Sequence, residues 1–432
     1  MSLFFKRFYR FLVKTEPQKN TLSKEALENV GRNFTLNVGN GTLTKLAEKI
    51  ISPNLTLPWI MSSLGASAGI IGALVPVKDA GSLLPQLAVS GKIRNFQIRK
   101  KFWVMAAMLQ AVCWLAAGLL LLFTSVSFIS IILLGLLAIF SIASGVASVA
   151  YKDVTAKTIP KKIRGQMLSY RATFGGVLGL IAGAVLIFVI KENKNTAIYA
   201  YMFFTASLLW FLAALLFLAI REEKEEAKQA RNFFEEVKEG ISLIKKDTGF
   251  RNFLFTRALL MAIPLLQPFY VLEAKQINTP HLNMLGYLII INGLATVVSS
   301  PFWGKIADQS STGLMRIASF ISIAGGIYAL GFYYFPQLGF FAFLPVFFIN
   351  GIAYSGARLS RKTYLVNYAP EDDRPTYISV ASTFIGLFTV LAATFGIVAE
   401  IFGLPVQILF FVGLLALAIF LSFKLPSVEE KE

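Results

Sequence analysis

Residues able to do chemistry are few in this chain, and most stand inside apolar stretches. Arg257 lies in the run Leu254-Phe255-Thr256-Arg257-Ala258-Leu259-Leu260. A guanidinium is costly in hydrocarbon and marks a functional position by default. Either it faces a cavity, where its fixed N–H donors suit an anionic ligand or a carboxylate, or it snorkels to the surface. Asn350 and Tyr354 are one helical turn apart and share a face, while Gln267 and Gln110 place amides in two further apolar runs. The acids Asp79, Glu273 and Glu400 fall near the ends of such runs, so no carboxylate is expected at mid-depth. Asp79 and Glu273 are candidates for a shared gate or proton site, with interfacial residues in contact with water as the alternative. His281 is the only histidine and Cys113 the only cysteine, which leaves no partner for a serine–histidine triad, a disulfide or a His/Cys metal site. Gly91-Lys92 and Gly304-Lys305 are each followed by Ile, so no phosphate-binding P-loop is encoded. Neither an enzyme nor a bound cofactor or metal is expected.

The elements that must position these residues are membrane helices. Of 432 residues, 56% are hydrophobic and 15% charged, more apolar surface than a water-soluble core hides. Runs of about 20 apolar residues, the length needed to cross a bilayer, are read at 56–76, 80–95, 102–124, 127–150, 168–190 and 197–219. A second set is read at 252–272, 284–303, 314–335, 338–357, 376–399 and 404–423. The expected fold is an all-α integral membrane protein with 12 transmembrane helices in two pseudo-symmetric six-helix bundles. Residues 1–51 are read as a cytoplasmic N-terminal segment whose Met1–Lys14 stretch is an amphipathic basic helix or a solvated tail. The bundles are 52–220 and 251–424, joined by a cytoplasmic linker helix over 221–250 and followed by a tail, 425–432. Lys and Arg gather in alternate loops, leaving only Lys78, Lys191, Lys194 and Lys275 on the other side. The positive-inside rule then places a multi-pass chain in the cytoplasmic membrane with both termini inside. The net charge of +17 is accounted for by topology, without a nucleic-acid partner.

Two loops repeat in order. Gly91-Lys92-Ile93-Arg94-Asn95 recurs as Gly304-Lys305-Ile306-Ala307-Asp308, and Pro160, Arg164 and Ser169 recur as Pro370, Arg374 and Ser379. Such a repeat implies two related halves. On these residues the chain resembles the major facilitator superfamily, whose loop signature is Gly-x-x-x-Asp before a basic cluster. Asn95 stands at the aspartate position, followed by Arg99, Lys100 and Lys101.

The resemblance implies a cytoplasmic latch at Gly91 and Gly304, with Asp308 meeting a helix N-terminus or Arg171. It also implies that spans 1, 4, 7 and 10 line a central path, adding Trp59, Ser62, Ser63, Ser141 and Ser144 to the polar groups above. Gly175, Gly179 and Gly183 form a small-xxx-small stripe suited to close helix packing.

The substrate-contact candidates are therefore Arg257, Gln267, Asn350, Tyr354, Trp59, Ser62, Ser144 and Gln110. Those for coupling or gating are Asp79, Glu273, Asp308, Arg171, Gly91 and Gly304. The function implied is secondary active transport of a small organic solute by alternating access, with proton-coupled export as one form. The alternatives are an uptake carrier for a small anion, or a lipid scramblase or non-transporting sensor of the same fold. The expected partners are the solute, the lipid bilayer and protons, around a monomer.

Overall fold

The computed structural model describes residues 9–13, 24–123, 128–188, 197–224, 233–277 and 282–429. Every regular element among them is helical. A backbone in hydrocarbon must satisfy its own N–H and C=O groups, and helices do so within one segment. Among the described residues, eleven helical stretches are long and apolar enough to cross a bilayer.

Their membership corrects the sequence reading at the N-terminal end. The first two predicted spans do not exist as such. Residues 56–63 form a short helix, and a single helical run, Ala68–Gly72 continued by Leu74–Arg94, takes the place of both. Lys78 and Asp79 interrupt the apolar pattern within that run and split it for a hydropathy reading.

A further long helix lies in the segment expected to be cytoplasmic. α1 (Lys24–Ile50) has 27 residues, about 40 Å at 1.5 Å per residue. Its amides are sequestered: Asn33, Asn37 and Asn40 recur at helical spacing and are all buried. Asn33 donates to the Arg221 carbonyl (2.9 Å), Asn40 to that of Ala213 (2.9 Å), and Arg32 to that of Ala219 (3.0 Å). The Asn-x-Thr sequons headed by Asn33 and Asn40 are therefore helix-packing contacts.

The remaining helices are α2 (Thr56–Ser63), α3 (Ala68–Gly72), α4 (Leu74–Arg94), α5 (Lys100–Phe123), α6 (Ile129–Thr158), α7 (Lys161–Phe188) and α8 (Ala197–Leu218). After the linker helix α9 (Phe233–Lys246) come α10 (Thr248–Leu259), α11 (Ala262–Ile277), α12 (Leu282–Gln309) and α13 (Ser311–Tyr334). The chain ends with α14 (Gly339–Tyr368), α15 (Arg374–Ala392), α16 (Ile397–Phe402) and α17 (Leu404–Ser422).

Two compact units result. The first comprises Met1–Ile51, Gly81–Ile181 and Asn195–Phe233; the second comprises Ser52–Ala80, Ala182–Lys194 and Phe234–Glu432. The division therefore departs from the two sequence halves: residues 52–80 and 182–194 pack with the second unit.

In the first unit, Trp114 meets Phe140 and Phe203 at ring-centroid distances of 4.6 and 5.5 Å, and Trp103 stacks on Phe217. Residues 9–13 dock on this unit: Leu12 and Val13 are buried against Val30, Phe34, Ile159, Ile163 and Met167. The Leu12 carbonyl accepts from Gln166 Nε2 (2.9 Å) and Tyr170 Oη (2.8 Å), which fixes the segment onto protein. The rest of Met1–Lys14 lies outside the described residues.

The two units carry a similar pair of helix caps. In the first unit the Glu222 carboxylate accepts from the Arg99 and Lys100 amides at the start of α5 (2.9 and 2.7 Å). In the second, Glu429 accepts from the Ser311 amide (2.7 Å) and hydroxyl at the start of α13. Each sequence half thus ends on a carboxylate that returns to the N-terminus of its own third long helix, where free amides and the helix dipole favour an anion. The tail read as 425–432 is accordingly tied down as far as Glu429.

Candidate functional site

In the second unit the polar groups gather around a break in one long helix. α10 ends at Leu259, α11 begins at Ala262, and Pro264 and Pro268 remove two backbone donors just beyond the join. Arg257 sits in the last turn of α10, beside this break. It is half-buried, and its Nε is out of solvent with no hydrogen-bond partner.

The charges acting on Arg257 are Arg361 of α14 and Asp79 of α4. Arg361 in turn points Nη1 at the Met261 sulfur, 3.3 Å away. Along α14, Tyr354, Arg358 and Arg361 share a face, and all three retain solvent exposure. This is a cationic, partly open surface with one acid among its neighbours, suited to an anion or a polarised carbonyl.

Asp79 is thus not the end of a first span. It lies near the middle of the helical run Ala68–Arg94, and it bonds Lys78 at 2.9 Å. The expectation that Asp79 lies near the end of an apolar run fails for this reason.

Asn350 departs from its expected partner. It is fully buried, 3.4 Å from Ser322 Oγ, with Nδ2 unpartnered, whereas Tyr354 one turn on stays partly exposed. Below the break, α11 carries a second group of strained polarity. Gln267 Oε1 accepts from Asn54 (2.9 Å) while its Nε2 has no partner. The Tyr270 hydroxyl and Glu273 Oε2 are also buried without one.

Trp59 and Ser62 prove to belong to α2, in the segment that joins two long helices, instead of lining a span. Trp59 is 1% exposed, and Lys275 of α11 clamps it: Nζ donates to the Ser63 hydroxyl (2.7 Å) and the Trp59 carbonyl (3.2 Å), 5.2 Å from the Trp59 ring.

The same end of the second unit closes by backbone contact. A Cβ on Gly72 would come 2.8 Å from Gly396 Cα, and one on Gly286 would come 2.6 Å from the Gly183 carbonyl. Glu400 accepts from the Gly69 amide at 2.9 Å. Small residues here allow helices from the two sequence halves to touch.

The first unit holds the other candidates. Gln110 is fully buried, 3.4 Å from the Phe140 carbonyl with its Oε1 unpartnered, and Ser144 is half-buried on α6. Arg171 lies against Gly41 with its guanidinium 4.3 Å from the Tyr151 ring centroid, and the acid acting on it is Glu48. One of its terminal nitrogens is buried and unpartnered.

Asp308 is exposed in the last turn of α12, and the adjacent N-terminus of α13 is capped by Ser310, whose Oγ accepts from the Gly313 amide at 3.0 Å. Gly304 has open space where a Cβ would stand, so close approach does not require glycine there; Gly91 falls in the last turn of α4.

Sequence reasoning missed Arg358, Arg361 and Lys275. The apolar run of span 10 ends at residue 357, before its charges, although helix-period spacing continues through Tyr354, Arg358 and Arg361.

The sequence profile of the Major Facilitator Superfamily matches residues 40–338 and again 269–432. An MFS-type transporter of Methanocaldococcus jannaschii is 22% identical over 362 residues, covering 81% of this chain and 84% of that one. A Mycobacterium tuberculosis protein is 24% identical over 247 residues, 56% of this chain and 48% of its own length, so the chain spans about half of the mycobacterial relatives it matches. Among solved structures, a variant of the nucleoside transporter NupG aligns with a TM-score of 0.70 at 13% identity, over 90% of this chain and 99% of that one. The D-xylose–proton symporter aligns with a TM-score of 0.70 at 16% identity, over 93% and 99%. These structures share the fold, and the profile covers nearly all of the described helices. The chain belongs to the Major Facilitator Superfamily.

Proposed function

We propose that this membrane transporter is a secondary active carrier that moves a small organic anion by alternating access. The observation that carries the reading is the Arg257–Arg361 pair at the proline break, with Arg358 and Tyr354 on the same open face. Cations within a membrane helix pair with a carboxylate or wait for one, and here one acid, Asp79, stands against two arginines.

The break in α10–α11 supplies freed carbonyls and a place to bend, as expected where a helix lines a path. The Lys275 clamp and the Gly72–Gly396 and Gly183–Gly286 contacts support a closed outer end. Replacing the two N-terminal predicted spans by α1 and the run 68–94 preserves the parity of the loops. The basic loops thus remain on one side, and the positive-inside rule favours both termini in the cytoplasm. Glu273, buried with Oε2 unpartnered, is the candidate for proton coupling.

The test is thermal stabilisation of the detergent-purified chain by a panel of mono- and dicarboxylates and sugar phosphates, each beside its neutral analogue. A ligand that binds only the folded protein raises its melting temperature by mass action. Anions should stabilise and neutral analogues should not. Arg257→Ala should weaken the effective anion about ten- to a hundredfold, the loss of a hydrogen bond to a charged group at roughly 1.5–3 kcal/mol. Stabilisation by neutral solutes that survives Arg257→Ala would overturn the anion reading.

A further inference from the structure

We propose that the first unit binds an oxyanion that keeps a proton, of the hydrogen phosphate class, where Arg171, Tyr151 and Thr155 donate and Asn37 accepts. Helix register brings these four side chains together. Three contacts recur at one offset between α1 and α7: Gly41 with Arg171, Lys45 with Gly175, and Lys49 with Gly179. The two helices therefore run parallel in register, and Asn37, one turn before Gly41, stands at the level of Met167. On α6, which runs antiparallel to α7, the Tyr151 ring centroid is 4.3 Å from the Arg171 guanidinium. Thr155, one turn further on the same face, reaches the level of Met167 as well. A long side chain leans toward the N-terminus of its own helix. Arg171 thus reaches toward Asn37 and Thr155 through room that Gly41 leaves, since a Cβ there would collide with its Nε.

The four groups are unsatisfied in complementary ways. Arg171 Nη1, the Tyr151 hydroxyl, the Thr155 hydroxyl and Asn37 Oδ1 are all buried without a hydrogen-bond partner. Thr158 donates to the Val154 carbonyl of its own helix (2.7 Å), the usual recourse of a helical threonine, but Thr155 makes no such bond. Asn37 Nδ2 donates to the Asn33 carbonyl (3.0 Å), which fixes the amide and leaves Oδ1 as an acceptor. Asn37 and Thr155 are buried, whereas Arg171 and Tyr151 keep partial exposure, so the cluster is closed at one end and open at the other.

Charge and the lone acceptor together select the ligand. Arg171 stands about 15 Å along α7 from its start at Lys161, a depth at which a cation needs a partner. The acid acting on it, Glu48, is half-exposed and held by Lys45 at 2.6 Å. Glu48 also lies about 10 Å along α1 from Gly41, so no acid contacts the guanidinium. Its planar donors match an oxyanion. Asn37 Oδ1 then discriminates among oxyanions: hydrogen phosphate offers it an O–H, whereas sulfate would set oxygen against oxygen.

This site lies wholly in the first unit and does not depend on the anion reading of Arg257. The experiment is the melting temperature of the detergent-purified full chain, titrated with sodium phosphate or sodium sulfate at neutral pH and constant ionic strength. Concentrations stay below those at which these salts stabilise proteins by exclusion. Phosphate should bind about tenfold or more tightly than sulfate, the effect of leaving one buried acceptor unpaired. The preference should persist in Arg257→Ala and disappear in Asn37→Ala. Arg171→Gln should abolish stabilisation by both anions. Tyr151→Phe, which keeps the ring under the guanidinium and removes only the hydroxyl, should weaken phosphate about tenfold.

Equal stabilisation of the wild type by the two anions, or by neither, would overturn the proposal, and that comparison stands even if a variant fails to fold. A phosphate preference that is lost in Arg257→Ala would assign the anion to the second unit and overturn it too, as would one that persists in Arg171→Gln.

Discussion

The helices that open the two sequence halves, α1 in the first unit and α10–α11 in the second, are held by different chemistry. α1 is unbroken and polar, and it is stitched by Arg32, Asn33 and Asn40 to backbone carbonyls over residues 213–221. The α10–α11 pair is apolar, interrupted by two prolines, and held by rings. Phe250 meets Tyr377 at 4.6 Å, Phe253 stacks on Tyr364 at 4.9 Å, and Phe269 meets Phe411 at 5.8 Å. Hydrogen bonds fix both position and rotation of a helix, whereas ring packing tolerates small rotations at similar contact. The stitched helix reads as scaffold. The helix held by rings also carries Arg257 and the unpartnered Gln267, Tyr270 and Glu273 atoms, the groups on which the proposed site rests.

Removing a ring should give the largest effect on stability. Phe253 is fully buried, and Phe→Ala in a packed core costs about 3–5 kcal/mol through lost contacts and the cavity left behind. Cys113 supplies the readout, since it is the only cysteine and is buried. A thiol-reactive dye should label Phe253→Ala at a lower temperature than wild type. Labelling at the wild-type temperature would mean that ring packing does not hold α10, and the contrast with α1 would lose its basis.

The same contrast explains what could be read from the sequence. The apolar helices from 102 onward were legible because hydropathy averages residue types over about 20 positions, and those helices meet lipid with Leu, Ile and Phe. α1 was not legible, because its Asn and Arg side chains escape the cost of hydrocarbon only through partners far away in sequence. Missing α1 moved Trp59 and Ser62 into a span and Asp79 to a helix end. The site was half legible. Arg257 stands out as a charge in an apolar run. Arg358 and Arg361 were lost because the apolar run ends before α14 does, and the Lys275–Ser63 bond joins residues more than 200 positions apart.

A smaller effect is expected where the ring-held helix begins. Asp247 caps α10 by accepting from the Phe250 amide (2.8 Å), and it also accepts from the Tyr368 (2.5 Å) and Tyr377 (2.8 Å) hydroxyls. Burial pushes its carboxyl up, but the amide and the two phenols together hold it below its ordinary value. A group with a depressed folded-state pKa contributes stability above its unfolded value and loses it as pH falls through the folded one. Asp247→Ala should therefore cost about 1 kcal/mol at neutral pH, the usual loss for a helix cap. The gap from wild type should close in acid, below the usual carboxylate range. A gap that stays constant through that range and below it would show that the cap does not act through its charge.

The smallest expected effect belongs to the polar stitching itself. Asn40 is fully buried and its Nδ2 donates to the Ala213 carbonyl, while its Oδ1 has no partner. Hydrogen bonds between membrane helices average about 0.6 kcal/mol and reach about 1.7, because the separated helices find other partners for the same groups. Asn40→Ala should lie in that interval by the Cys113 labelling assay, several-fold below Phe253→Ala. Asn40→Leu should cost more than Asn40→Ala, since a branched side chain must displace the α8 backbone that the amide now touches. A cost for Asn40→Ala above that of Phe253→Ala would reverse the comparison. α1 would then be the helix on which the first unit's stability chiefly rests, and its amides would count for more in lipid than rings do.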